Sequence, residues 1–206
     1  MVIQKGRHKV VCGDIMLNAY EQVMQGEKAD VLYSDPPWGS GNLKYWDTMN
    51  VKMNNVQSRD IGWETFVNKF AEIVNNYTHE QSQVFIEMGM KFYDKVVEVF
   101  EQKTNFKLAQ RFDTVYSNKL PMIVLYFTDK NPYMYDVATI NGTTADKTVN
   151  NILEPIAKEN LVVFDPCMGY GRTLRISEKY NMSFRGSELN QARIDRAIKF
   201  LEDKCK

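Results

Sequence analysis

The tetrad Asp35-Pro36-Pro37-Trp38 has the residue types and spacing with the clearest chemical use. Two prolines end the preceding apolar run and stiffen the backbone, so the Asp35 carboxylate and the carbonyls beside the prolines become acceptors at fixed positions. An aryl amine is a poor nucleophile because its lone pair is delocalised into the ring. Hydrogen-bond acceptors for both hydrogens of the amine favour a pyramidal nitrogen that can attack an electrophilic methyl group. Trp38 offers a stacking face for a base. The tetrad therefore predicts methylation of an exocyclic amine.

A second candidate site is the loop DPCMGYGRT, residues 165–173, hereafter the glycine loop. It follows the apolar run Leu161–Phe164 and precedes a helical pattern, an arrangement that lets a ligand approach the backbone near a helix N-terminus. Glu188 ends the next strand, 17 residues after Gly171, close to the ~20-residue spacing at which an acidic residue bonds ribose hydroxyls. A nicotinamide cofactor would use the same geometry, so the loop alone does not identify its ligand.

The elements that must position these residues are short apolar runs alternating with helical patterns, which is typical of a mainly parallel sheet covered by helices. The predicted strands are Lys9–Cys12, Asp30–Tyr33, Gln83–Glu87, Leu161–Phe164 and Ser183–Gly186, with an antiparallel hairpin of Phe106–Tyr116 and Met122–Phe127. The predicted helices are Met16–Met24, Trp63–Tyr77, Phe92–Phe100, Asp146–Ala157 and Asn190–Leu201, with one from the glycine loop to Tyr180. Residues 39–62 and 130–144 are predicted as mobile loops, because loops of that length are usually functional or mobile.

Composition narrows the class of protein. The 206 residues suit one domain, and 44% hydrophobic residues are enough for a core. The formal net charge is zero, which counts against a tight autonomous binder of duplex nucleic acid because phosphate contacts come from Lys and Arg. Three scattered cysteines and two histidines predict neither disulfides nor a metal site. With no membrane-length apolar run and no secretory leader, the expectation is a soluble, intracellular protein.

The order of the two motifs resembles that of the S-adenosylmethionine-dependent DNA amino-methyltransferases often called the beta class. In this permuted order the DPPY/W strand comes first and the DPxxGxG cofactor loop lies near the C-terminus, and the likeness covers the chain from Cys12 to the last helix. It implies an α/β, three-layer Rossmann-like methyltransferase fold in one domain, residues 1–206. A seven-stranded, mostly parallel sheet with the antiparallel hairpin at one edge is expected, in the cytoplasm of a bacterial or phage-infected cell.

The same resemblance implies residue roles. Asp35 and the Pro36 carbonyl would hold the target amine, Pro37 belongs to the same catalytic tetrad, and Trp38 would stack on the base. The residues implied to bind S-adenosylmethionine are Asp14, Lys147, Asp165, Pro166, Gly169, Gly171 and Glu188. Among them Glu188 is expected on the ribose, Asp14 near the adenine of the cofactor and Lys147 near its carboxylate.

The glycine loop departs from the family pattern DPFxGSGT. Cys167 replaces Phe, and Tyr170 and Arg172 stand where the family has Ser and Thr. We expect cofactor binding to survive, because the backbone amides matter most. Cys167 lies in the cofactor loop rather than at the catalytic strand, so it is interpreted as a packing residue and not as the nucleophile of a cytosine C5 enzyme.

The substrate is predicted to be adenine in DNA. Cytosine amino-methyltransferases of the family more often carry Ser in place of Asp35. RNA adenine methyltransferases also use the tetrad, so it does not separate DNA from RNA; the DPxxGxG loop and the permuted layout favour DNA. Cations interleaved with aromatics after the tetrad fit a segment that orders on nucleic acid and closes over a flipped base; an ordinary polar loop with buried aromatics is the alternative. The predicted nucleic-acid-binding residues are Lys44, Tyr45, Trp46, Lys52 and Arg59.

Target recognition is the part the chain is too short to explain. Family members usually carry a recognition region of many tens of residues, and here only two loops and the hairpin are free for it. The chain could recognise its target without such a region if the target site is very short, if the chain forms a homodimer, or if a partner subunit supplies recognition. RNA or cytosine methylation and a catalytically idle nucleic-acid-binding subunit are the alternative functions, and the intact tetrad with the glycine loop and Glu188 argues against idleness.

Overall fold

The computed structural model describes residues 2–54, 61–116, 120–130 and 132–204. These residues form one eight-stranded sheet flanked by helices. The strands are β1 Val2–Lys5, β2 His8–Cys12, β3 Ala29–Ser34, β4 Thr78–Gly89, β5 Lys107–Tyr116, β6 Leu120–Thr128, β7 Val162–Asp165 and β8 Ser183–Glu188. The helices are α1 Glu21–Met24, α2 Ser40–Asn54, α3 Trp63–Tyr77, α4 Tyr93–Lys103, α5 Val137–Ile140, α6 Ala145–Leu153, α7 Arg172–Lys179 and α8 Gln191–Lys204.

The strand order β1-β2-β8-β7-β3-β4-β6-β5 places the two motif-bearing strands side by side. From β2 to β4 neighbouring strands are parallel, and β7 pairs directly with β3, Val163 opposite Val31 and Phe164 opposite Leu32. The chain leaves β7 toward β8 on one side and leaves β3 toward β4 on the other. This divergence makes a crevice at the carboxyl ends of the strands, where open α/β sheets bind ligands.

Two apolar cores cover the two faces of the sheet, because alternate strand residues point to opposite faces. On β3, Leu32 packs into the core under α1, α3 and α4, while Val31 and Tyr33 pack into the core under α6, α7 and α8. Helix α3 keeps the bounds predicted from its spacing of aromatic and aliphatic residues. The sheet is therefore the middle layer of three and holds the strand ends rigidly.

The fold class predicted from the sequence is confirmed, including the antiparallel hairpin of β5 and β6 at one edge. The sheet has one strand more than the seven expected, because Val2–Lys5 pairs antiparallel with β2. This edge strand is only half-buried or exposed along its length, so no apolar run marks it in the sequence.

Parts of both segments predicted as loops are helical. Helix α2 occupies residues 40–54 of the segment 39–62, and α5 lies within residues 130–144. Leu43, Trp46, Asp47 and Asn50 of α2 face the crevice and follow helical spacing, but two of the four are polar, so the apolar stripe is too weak to predict a helix. The mobility expected for residues 39–62 and 130–144 stays a prediction.

Within the described ranges, none of the helices combines the length and apolar character needed to cross a lipid bilayer.

Candidate active site

Carboxylates end four adjacent parallel strands. In spatial order they are Glu188 of β8, Asp165 of β7, Asp35 directly after β3 and Glu87 of β4. All four line one cavity of about 580 Å³, a volume within the usual range of ligand pockets. The structure thus brings the tetrad and the glycine loop to the same cavity, where Arg172 and Arg193 pair with two of the four carboxylates.

Asp35 occupies the centre of this row and is half-buried. Burial raises the pKa of its carboxyl well above the usual aspartate range, and the nearby Glu87 raises it further, whereas Arg172 and a hydrogen bond from Trp38 lower it. The neighbouring Pro36 is buried and Pro37 half-buried; both line the cavity. The carbonyl of Pro37 accepts a hydrogen bond from Trp63 Nε1 at 3.1 Å, so the backbone of the tetrad is anchored to α3.

Trp38 is tied to the aspartate of its own tetrad. Its indole Nε1 donates to Asp35 Oδ1 at 2.6 Å, and its ring meets Tyr116 of β5 edge to face at 5.6 Å between centroids. Gly89 gives the indole room, since an added Cβ there would lie 3.3 Å from it. The indole therefore fixes the rotation of the carboxylate and leaves Oδ2 for another donor.

The glycine loop is held by Asp165. Asp165 Oδ1 accepts from Ser34 Oγ at 2.8 Å and from the Cys167 amide at 3.0 Å, and Oδ2 accepts from Thr173 Oγ1 at 2.9 Å. Burial raises the pKa of Asp165 to about 6, with these three hydrogen bonds opposing the rise. Asp165 thus fastens the loop to β3 and to α7.

This raised pKa predicts a pH-dependent stability difference. The carboxyl binds its proton more tightly folded than unfolded, so the contribution of Asp165 to the free energy of unfolding should fall as pH rises from 4 to 7. For a pKa moved from 3.8 to about 6, the change is on the order of 3 kcal/mol. Urea unfolding of wild type and Asp165→Asn measures it: relative to wild type, the variant should gain stability with rising pH. If the free energies of unfolding of wild type and Asp165→Asn differ by a constant amount between pH 4 and 7, the assignment is contradicted. The control is Asp203→Asn at an exposed position, which should show no such trend.

Glu188 is buried and joined to the glycine loop. Its carboxylate accepts from the Gly169 amide at 3.0 Å and from the Asn190 amide at 2.9 Å, and it pairs with Arg193 at 3.3 Å. Burial raises the pKa of Glu188 and Arg193 lowers it. The Arg193 guanidinium also lies 4.4 Å from the ring centre of Trp46, so α2 and α8 meet over the acidic residue predicted to bind ribose.

The other predicted cofactor residues divide into two groups. Asp14, Pro166 and Gly169 line the cavity, and Gly171 is the N-cap of α7 beside it. Lys147 is exposed and is not among the described residues of the cavity wall, so its contact with the cofactor carboxylate stays a prediction. Successive helical residues point about 100° apart; its neighbour Asp146 faces the cavity instead.

Cys167 lies in the cavity wall. Burial, together with the charges of Asp165 and Glu188, raises the pKa of this thiol well above the usual cysteine range. A thiolate is the nucleophilic form of cysteine. The environment therefore supports the interpretation of Cys167 as a packing residue.

The predicted nucleic-acid-binding residues are spread around α2. Trp46 lines the cavity, whereas Lys44, Tyr45 and Lys52 are exposed on the outer side of the helix. Arg59 lies outside the described residues. The helix thus presents one aromatic side chain inward and two cations with a tyrosine outward.

The sequence prediction missed Glu87 as a site residue and left the contacts of Arg172 undefined. Glu87 accepts from Tyr33 Oη at 2.9 Å and from Arg172 Nη1 at 3.0 and 2.8 Å. The available signal was an acidic residue ending the apolar run QVFIE at the carboxyl end of a parallel strand. Among the described residues no group of three or more His, Cys, Asp or Glu side chains is placed to hold a metal ion.

No protein-family model matches the sequence, and no curated protein matches it. Solved structures do match the fold. M1.HpyAVI superposes with a TM-score of 0.68 at 16% identity, over 94% of this chain and 98% of that chain. TTHA0409 of Thermus thermophilus, assigned as a DNA modification methylase and complexed with S-adenosyl-L-methionine, gives 0.66 at 11% identity over 95% and 93%.

The PvuII DNA methyltransferase, described as cytosine-N4-specific, gives a TM-score of 0.68 at 12% identity, over 93% of this chain and 85% of that chain. Identities this low carry the fold and not the activity. The chain therefore has the three-layer α/β fold that these methyltransferases share.

Proposed function

We propose that the protein transfers the methyl group of S-adenosylmethionine to the exocyclic 6-amino group of adenine in DNA. The observation that carries the proposal is the adjacency of β3 and β7, which opens the Asp35 tetrad and the glycine loop into one cavity. One strand end then offers acceptors for an amine while its neighbour offers a cofactor loop.

The cavity suits this cofactor. S-adenosylmethionine carries a positive sulfonium, and carboxyl groups lie at four strand ends of the wall, with Arg172 and Arg193 offsetting the charges of Glu87 and Glu188. Structures of this fold have been solved with S-adenosylmethionine, including an M1.HpyAVI complex. We assign Glu188 to the ribose, Asp14 to the adenine of the cofactor, and the glycine loop with Pro166 to its methionine part. When bound, the cofactor supplies an electrophilic methyl group.

The residues of the tetrad prepare the amine for attack. Asp35, through Oδ2, and the Pro36 carbonyl would accept hydrogen bonds from the two amine hydrogens, which favours a pyramidal nitrogen with its lone pair directed at the methyl group. As the nitrogen gains the methyl group, the bond from that carbon to sulfur would break, and the amine would release one proton to solvent. Trp38 orients the carboxylate and offers its ring to the base. Because the acceptors are held by prolines and by the Trp38 bond, little reorganisation is needed during transfer.

Adenine is preferred because Asp35 stands where cytosine enzymes of the resembled family more often have Ser. The fold match to a cytosine-N4-specific enzyme makes cytosine the second candidate. Both bases present an exocyclic amine, so product analysis must separate them.

DNA reaches the cavity with its target base extruded or single-stranded, since Asp35 cannot reach a base inside the stack. Helix α2, with Trp46 inward and Lys44, Tyr45 and Lys52 outward, is the proposed contact surface. Because the net charge of the chain is zero, we propose that a second copy or a recognition subunit contributes to target choice.

The test is transfer of radiolabelled methyl from S-adenosylmethionine to unmethylated duplex DNA, single-stranded DNA and RNA. Label is expected in DNA. Label confined to RNA, or absent from every substrate although calorimetry shows bound cofactor, would overturn the proposal.

A further inference from the structure

The buried Glu87 of β4 and the half-buried Arg172 of α7, the helix after β7, form an ion pair. The strands β4 and β7 flank the strand that leads to the amine-binding aspartate. Glu87 is 2% exposed, and both its oxygens accept from Arg172 Nη1, at 3.0 and 2.8 Å. Tyr33 Oη completes the set with a hydrogen bond of 2.9 Å. A buried charge is costly unless it is paired and hydrogen-bonded, so each member of this set depends on the others.

The position of Arg172 is unfavourable for a cation considered alone. It is the first residue of α7, and the N-terminus of a helix carries positive partial charge that disfavours cations. Its side chain nevertheless extends from α7, which follows β7, to the end of β4, two strands away in the sheet. The carboxylate of Glu87, with that of Asp146 at 3.8 Å from Arg172 Nε, offsets this unfavourable charge.

Asp35 lies between the two strands that this ion pair connects. Glu87 raises the pKa of its carboxyl and Arg172 lowers it, after the larger effect of burial. Burial raises the pKa of the Tyr33 hydroxyl and of the Cys167 thiol, so neither adds charge at neutral pH. The titratable groups that face Asp35 are Glu87 of β4, Arg172 of α7, Asp165 of β7, Tyr33 of β3 and Cys167 of the glycine loop.

We infer that Arg172 and Glu87 are positioning residues that act as a pair, with Arg172 offsetting the charge of Glu87 and so favouring the ionised form of Asp35, which accepts hydrogen bonds from the amine. The inference rests on the proposed function for its catalytic meaning. An ionised carboxylate accepts hydrogen bonds at both oxygens, whereas a protonated one presents a donor.

The test titrates Asp35 in the protein without cofactor, by carbon-13 NMR of labelled aspartate carboxyls, with Asp35→Asn to assign the signal. Relative to wild type, the midpoint should rise by about one pH unit or more in Arg172→Gln and fall in Glu87→Gln, as expected for close charges. The double variant Arg172→Gln/Glu87→Gln should return to near the wild-type midpoint, and Arg172→Lys should stay near it. If Arg172→Gln does not fold, Glu87→Gln alone decides.

The pH profile of methyl transfer provides the second measurement. Because transfer needs the ionised carboxylate, the acid limb should move to higher pH in Arg172→Gln and back in the double variant. Unchanged midpoints, or an Arg172→Gln defect confined to cofactor affinity and not repaired by Glu87→Gln, would overturn the inference while leaving the proposed function standing. Wild type that methylates no nucleic acid would overturn the proposed function, and the NMR titration would still decide the inference.

Discussion

Asp35→Asn is expected to lower kcat/KM for methyl transfer by roughly 10³-fold or more, the size of effect seen when a preorganised active-site hydrogen bond is lost. The indole Nε1 of Trp38 lies 2.6 Å from Oδ1, so the asparagine would keep its carbonyl oxygen toward Trp38. Its amide NH₂ would then face the cavity. A donor replaces the acceptor that the amine requires, while the shape of the side chain is unchanged.

Cofactor binding separates this effect from misfolding. Calorimetry should give a dissociation constant for S-adenosylmethionine within about threefold of wild type, a difference below 1 kcal/mol. Asp203→Asn, on the exposed surface of α8, is the matched control and should keep full activity. An Asp35→Asn protein that binds cofactor and methylates at the wild-type rate would remove Asp35 from the mechanism.

The second large effect is expected for Gly171→Ala. Gly171 has a φ of 74°, a conformation that costs a non-glycine residue about 1–2 kcal/mol. An added Cβ would also lie 2.8 Å from the Cβ of Ala197 in α8, and such overpacking typically costs about 1–3 kcal/mol. Together the free energy of unfolding should fall by about 2–5 kcal/mol. Cofactor affinity should drop at least about tenfold, since the loop cannot move without disturbing its contacts.

Gly26→Ala is the matched control, because Gly26 has a φ of +81° with nothing within 4 Å of an added Cβ. It isolates the backbone cost, so urea unfolding should show a loss of about 1–2 kcal/mol with unchanged cofactor affinity. Equal effects of the two substitutions on stability and affinity would mean that the approach of Gly171 to α8 is unimportant.

The sequence predicted those parts of the fold that carry strong local patterns. The apolar runs of β3, β4 and β7, and the helical spacing of α3, lie where the structure has them, because a buried strand or an amphipathic helix must repeat apolar residues. β1 was missed, since an edge strand buries too little to need such a pattern. α2 was missed because its inward face carries Asp47 and Asn50 toward the cavity.

The site was predicted where chemistry follows from neighbours in the chain. The tetrad and the glycine loop are contiguous motifs, and parallel strands bring their ends together. The Glu87–Arg172 pair joins positions 85 residues apart, and no local pattern indicates which acidic side chain a half-buried arginine will meet. Whether Lys147 or its neighbour Asp146 faces the cavity depends on how α6 is rotated about its axis. The weak motif around Lys147 does not determine that rotation.

The most direct test of the central claim is digestion of the methylated DNA to nucleosides, followed by chromatography and mass spectrometry. We expect the transferred methyl group to be recovered as N6-methyladenine with wild type and to be lost with Asp35→Asn. Recovery as N4-methylcytosine would contradict the assignment of adenine, and recovery as C5-methylcytosine would contradict amine methylation altogether.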